Sequence, residues 1–343
     1  MQERIVRSRN ATYLRELENY FRTYLVDDYA DRSARLWQRD YASPERYLSS
    51  VASMREAWRE VLAPPELEID GEPQVTAEWI DGVHSFWIQQ PLRGGLSAQG
   101  VFAVPAGGAS RLVVFQHGLG SSPERAFGVG DPEKTYDEVA LRLLEAGYAV
   151  LAPFNLSFVD PRNRAQRLAR LAGTTMEGLE LSRLQILLEV VQARFDLDLS
   201  QMGLWGSSWG GLATQVWAPL DERFEVAITS GFFNNRQHKM VIDDPRYSSF
   251  ERKGEDHAFL PGHLWAFADA DLASLICPRA FLVQMGELDG IGWWPQVVTE
   301  YEQARVHWDQ LGLGERADID LHKDGHVVRA APGVAWMQRW LRP

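Results

Sequence analysis

The chain has a single cysteine, Cys277, among 343 residues. One thiol excludes an intrachain disulfide framework and any zinc site built on several cysteines. No run approaches the roughly 18 apolar residues of a membrane span. No apolar stretch follows Met1-Gln2-Glu3-Arg4-Ile5 as it would in a secretory leader. Positive charge is in deficit too. The formal net charge of −12 favours a soluble protein and argues against nucleic acid or an anionic membrane as main partner. Internal repeats and low-complexity tracts are lacking. These absences lead to the expectation of a cytoplasmic protein.

What is present is an ordinary globular mix, 45% hydrophobic and 24% charged. The length suits two domains or one elaborated α/β domain. The first 65 residues read as helical, because Tyr13, Leu14, Leu17, Tyr20, Phe21, Tyr24 and Leu25 recur with a helical period. Ser43-Pro44-Glu45 is a helix start: a cap, a proline at the first helical position, and an acid facing the positive helix end. Leu48, Val51, Met54, Trp58 and Leu62 then form one face, and Ala63-Pro64-Pro65 stops the helix.

Period two takes over next. Val75–Ile80 and Val83–Gln90 alternate around a tight Asp81-Gly82 turn, and Gln99–Val104 is a third strand. Strands and helices then alternate. Strands are expected at 111–116, 148–152, 202–205, 226–229, 280–285 and 317–321. Helices are expected at 136–145, 179–195, 209–217, 295–311 and 333–341. This order implies a mixed, mostly parallel sheet flanked by helices. Two long stretches, 155–178 and 232–270, are rich in turn residues and read as lid-like insertions that wall a pocket.

Gly206-Ser207-Ser208-Trp209-Gly210 follows an apolar strand and opens a helix. It satisfies G-x-S-x-G with Ser208 at the centre. The turn carrying such a serine is so sharp that only glycine-sized residues fit two positions before and after it. Gly206 and Gly210 meet that need, whereas Ser207 has Trp205 and Trp209 at the same offsets. The turn lifts the hydroxyl clear of the sheet and points the Trp209 amide at an incoming carbonyl oxygen.

With this turn the sequence resembles the α/β-hydrolase superfamily over roughly residues 75 to 343. The resemblance includes Gln116-His117-Gly118-Leu119-Gly120 straight after an apolar strand. It implies that the Leu119 amide joins that of Trp209 in an oxyanion hole, with His117 holding the loop. In Gly286-Glu287-Leu288-Asp289-Gly290 it implies Asp289 as the triad acid, with Glu287 as the alternative. In Lys323-Asp324-Gly325-His326 it implies His326 as the base, while His322 reads as structural. A closer similarity is to a bacterial dienelactone-hydrolase or acetyl-xylan-esterase-like subfamily with a helical N-terminal stretch. It rests on Ser208-Trp209-Gly210-Gly211, Thr229-Ser230-Gly231-Phe232-Phe233, Phe259-Leu260-Pro261-Gly262 and Cys277-Pro278-Arg279.

The resulting expectation is an α/β-hydrolase fold over 71–343, preceded by a helical extension over 1–70. The function expected is a serine hydrolase cleaving a small carboxylic ester, with a lactone, a thioester or a diketone C–C bond as alternatives. A non-catalytic hydrolase-like binding protein is a further alternative. No cofactor or metal is expected, since the spacing of His238, His257 and His263 matches no strong ligand pattern. Phe232 and Trp294 are expected to line the substrate pocket. Arg162, Arg164, Arg167 and Arg170 read as a solvated helix face, the alternative being a carboxylate-binding cluster. The N-terminal helices are expected to cap the site or to mediate a homodimer. A histidine base predicts activity that falls on acidification near about pH 6–7.

Overall fold

The computed structural model describes residues 2–246 and 254–343. Residues 247–253, part of the second expected insertion, lie outside the described residues. Among the described residues nine strands form one sheet: β1 (Gln74–Ile80), β2 (Val83–Leu92), β3 (Leu96–Ala103), β4 (Leu112–Gln116), β5 (Ala149–Pro153), β6 (Met202–Ser207), β7 (Phe224–Ser230), β8 (Ala280–Gly286) and β9 (Ala317–His322). Their spatial order is β1-β2-β3-β5-β4-β6-β7-β8-β9. The β1, β2, β3 and β5 pairings are antiparallel, and those from β5 through β4 to β9 are parallel. The β1–β2 hairpin turns on Asp81 and Gly82, both at positive φ, the backbone a two-residue turn requires.

The helices are α1 (Gln2–Arg22), α2 (Tyr29–Leu36), α3 (Pro44–Leu62), α4 (Val139–Glu145), α5 (Val159–Leu171), α6 (Met176–Phe195), α7 (Trp209–Trp217), α8 (Arg236–Val241), α9 (His263–Ala266), α10 (Asp269–Ile276), α11 (Trp294–Gln310) and α12 (Ala330–Trp340). Alternate strand residues feed two cores. Leu112, Val114 and Leu204 pack with α3, α6, α7, α10 and α11. Val113, Phe115 and Trp205 pack with α4 and α12 on the other face. This is the α/β-hydrolase fold, a mostly parallel sheet covered by helices on both faces.

In α3 the Ser43 hydroxyl accepts the Arg46 amide, Pro44 occupies the first turn, and Val51, Met54, Trp58 and Leu62 are buried. The helix ends at Ala63 in the left-handed region. The helix expected from residue 136 starts three residues later. The Asp131 carboxylate draws the Thr135 and Tyr136 amides into a turn, and Asp137 and Glu138 sit at positive φ. The helix expected from 179 starts earlier, because the Thr175 hydroxyl caps it by accepting the Gly178 amide. The two insertions carry α5, the first turn of α6, α8, α9 and α10 rather than loop alone.

Candidate active site

Ser208 sits between β6 and α7 with φ +57 and ψ −121, an unusual backbone for a residue with a side chain. Its neighbours explain how that conformation is held. A Cβ on Gly206 would lie 1.9 Å from the Gly210 carbonyl oxygen, and one on Gly210 would lie 2.0 Å from that of Gln116. Both positions therefore exclude any larger residue. The Ser208 amide donates to the Ser230 carbonyl at 2.8 Å, which ties the turn to the end of β7.

The loop after β4 lies against this turn. A Cβ on Gly118 would come within 3.0 Å of both the Ser207 carbonyl oxygen and Ser208 Cβ. The Gly118 amide donates to the Tyr136 hydroxyl at 2.9 Å, and the Gly120 amide to the Ser157 carbonyl at 2.9 Å. The amides between and beside them, Leu119 and Trp209, have no hydrogen-bond partner among the described residues. His117 is buried, and both its ring nitrogens are committed. Nδ1 donates to the Gly118 carbonyl at 2.9 Å, and Nε2 accepts the Asn155 amide at 3.4 Å. Burial lowers its pKa to about 4, so the ring is neutral at physiological pH.

His326 lies beyond β9, and its Nδ1 donates to Asp289 Oδ2 at 2.6 Å. Asp289 Oδ1 accepts the Ile291 amide at 2.7 Å and the Gly292 amide at 3.3 Å. Burial pushes the Asp289 pKa upward, but His326 and these two amides outweigh it and hold the carboxyl below its ordinary value. His326 packs over Gly231, where a Cβ would come within 2.8 Å of the ring. Gly231 directly follows Ser230, the residue that holds the Ser208 amide. The outward nitrogen, His326 Nε2, is buried and has no partner among the described residues. Glu287, the alternative acid, pairs instead with Lys323 at 2.6 Å. His322 accepts the Asp324 amide on Nδ1 at 3.3 Å.

A cavity of about 100 Å³ opens at Ser208. Leu119, Trp209, Leu212, Phe232, Phe233 and Met285 form its apolar wall. Asn234 and His257 are among its polar residues. Trp294 is not among the lining residues; it packs against the larger core from the start of α11. The second insertion lines this cavity, from Phe232 to Ala258, whereas the first supplies no lining residue and instead braces the second. His257 donates from its backbone and from Nδ1 to Asn163 Oδ1, at 3.1 and 2.9 Å, and so joins them. Burial, reinforced by the charge of Arg162, lowers its pKa to about 3. His263 packs on Trp58 and His238 bonds to Gln296, so the three histidines of this insertion do not converge.

The arginines of α5 depart from the expected solvated face. Arg164 is exposed, but Arg162 is fully buried. Arg162 pairs with Glu177 at 2.9 Å and Glu180 at 2.6 Å and stacks 3.8 Å from the Trp209 ring centre. Arg167 pairs with Asp256, and Arg170 donates to the Asp256 and Phe259 carbonyls. These cations are spent on the protein. Asn155, Ser157, Tyr136 and Arg162, which brace the two turns, were missed in the sequence. Their partners are up to tens of residues away, and no local pattern marks them.

No protein-family model matches the chain. It is 28% identical over 245 residues to YtaP of Bacillus subtilis (strain 168), whose name as a hydrolase is provisional. The match covers 68% of this chain and 80% of YtaP. Among solved structures it is similar to a Bacteroides fragilis protein provisionally named an acetyl xylan esterase. There the TM-score is 0.66 and the identity 16%, covering 86% of this chain and 80% of that one. It is also similar to a promiscuous CE15 esterase from a marine bacterial metagenome, with TM-score 0.62 and 14% identity over 88% of this chain and 94% of that one.

Proposed function

We propose that this protein is a serine hydrolase acting on small carboxylic esters, with Ser208 as nucleophile, His326 as general base and Asp289 as its partner. One observation carries the reading. The Asp289–His326 pair leaves Nε2 unspent where the ring packs over Gly231, and Gly231 lines a cavity together with Ser208 on its glycine-bounded turn. The names of the similar proteins support the same reading.

In this mechanism His326 Nε2 takes the Ser208 proton as the hydroxyl oxygen attacks the ester carbonyl carbon. The carbonyl electron pair moves to oxygen, and the Leu119 and Trp209 amides donate to that oxyanion. Collapse of the tetrahedral adduct breaks the ester C–O bond. The alcohol leaves with the proton held by His326, and an acyl group stays on Ser208. Water then repeats the sequence, giving its proton to His326 and releasing the acid. Asp289 keeps the proton on Nδ1 and stabilises the imidazolium. The cavity, about 100 Å³ and mostly apolar, suits an acyl group of a few carbons.

The test is hydrolysis of p-nitrophenyl acetate, butyrate and octanoate by wild type and Ser208→Ala. We expect turnover of the short esters, weak turnover of octanoate, and loss of about a thousandfold or more in the variant. A variant that keeps its activity overturns Ser208 as nucleophile. An inactive, folded wild type shifts the reading to the lactone, thioester or C–C substrates.

A further inference from the structure

Helix α1 is 21 residues long, and none of its side chains is buried. It nevertheless carries large apolar residues in the open: Ile5, Val6, Tyr13, Leu14, Tyr20 and Phe21. An isolated helix of this length gains little from propensity alone and owes its stability to packing of its apolar face. From Ile5 to Leu14 that face lacks a partner among the described residues, while Phe21 at its end borders a groove with Leu260 and Trp265.

The spacing of the stripe specifies what covers it. Val6, Asn10, Tyr13, Leu17 and Tyr20 are separated alternately by four and three residues, the seam of a coiled coil. Asn10 is the one non-aromatic polar residue in that seam, a position where a polar group fixes register. Tyr20 stacks on Tyr24 and meets Phe21 edge-on, giving an aromatic band.

Charge selects the partner. Residues 2–12 contain Arg4, Arg7 and Arg9 against Glu3, whereas residues 13–22 contain Glu16 and Glu18 against Arg15 and Arg22. One half of the helix is positive and the other neutral. We infer that α1 pairs antiparallel with α1 of a second copy of this chain, about a twofold axis. This pairing sets each positive half on a neutral one that holds Glu16 and Glu18, while a parallel pair would set positive on positive. With Val6 facing Leu17, Asn10 faces Tyr13 and Arg9 lies beside Glu16 of the second copy. Neither Arg9 nor Glu16 is in an ion pair among the described residues. Each contact recurs on the other side of the axis, as an isologous interface requires.

Sedimentation equilibrium of the full chain tests this. Wild type is expected at twice the 38.9 kDa chain mass. Tyr13→Glu/Leu17→Glu is expected to be monomeric, its dissociation constant raised at least about thirtyfold, with an unchanged melting midpoint. Arg9→Glu should weaken the dimer about tenfold, and Arg9→Glu/Glu16→Arg should restore it. A wild type that stays monomeric at roughly 100 μM overturns the proposal. So does a dimer that survives Tyr13→Glu/Leu17→Glu, because its interface lies elsewhere. Failure of the charge exchange to restore the dimer overturns the antiparallel arrangement.

Discussion

Two buried charged clusters adjoin the Ser208 turn, and each leaves polar atoms unpartnered, Arg162 Nε and Glu177 Oε2 in one and His326 Nε2 in the other; they differ in what those atoms can do. Arg162 commits both terminal nitrogens to Glu177 and Glu180, and its face to Trp209. Burial works against its charge, but the two carboxylates outweigh that and raise its pKa. Asp289 and His326 form a hydrogen bond as short as either of those ion pairs, yet one imidazole nitrogen stays uncommitted. The first cluster can only hold the helix that carries Trp209. The second can also move a proton. Burial, charge and an unpartnered atom therefore do not by themselves distinguish a site from a scaffold; an unpartnered imidazole nitrogen that can accept a proton beside the serine turn does.

Breaking each cluster should give opposite signatures. Asp289→Asn is expected to lower kcat/KM on short esters by about a thousand- to ten-thousandfold, because the imidazole loses its orienting acceptor, while stability changes little. Initial rates and a urea melt on the same preparation check both halves. Arg162→Met should do the reverse first. It strands Glu177 and Glu180 without their cation and costs about 3–5 kcal/mol of unfolding free energy. A loss below about 1 kcal/mol in urea titration would mean that the cluster is not structural.

A further buried carboxylate sharpens the comparison because no cation pairs with it among the described residues. There Glu300 accepts only the Ala270 amide and the Asn235 side chain, and burial with the charge of Asp269 pushes its pKa up to about 8. The folded state thus binds this proton more tightly than the unfolded chain. The contribution is complete below the ordinary glutamate range and is lost as pH rises through about 8. Urea midpoints should fall across that window in wild type, and the fall should flatten in Glu300→Gln. The smallest effect belongs to the alternative acid. Glu287, bonded to Lys323 near the surface, should leave kcat/KM within about twofold when changed to Gln.

The serine turn was legible because it is a local event. Glycines at fixed offsets around Ser208 record a steric limit that any fold with this turn must satisfy. The same local logic exposed the Ser43 cap and the Asp81-Gly82 hairpin. Arg162 was misread for the opposite reason. On α5 it stands among three other arginines, and only the approach of α6 removes it from water. Trp294 was expected in the pocket because it lies close in sequence to Asp289, but the start of α11 turns it into the core.

Local chemistry in the sequence alone determined the alternation of strands and helices and the serine turn, while a family resemblance pointed to Asp289 and His326 as its partners. The tertiary structure paired Asp289 with His326 and Glu287 with Lys323, placed α5 and α8 in the insertions, and turned an arginine-rich helix into the support beneath Trp209. Turns and periodicity follow from contacts between residues a few positions apart. Burial and pairing depend on segments up to a hundred residues or more away, whose approach no short pattern encodes.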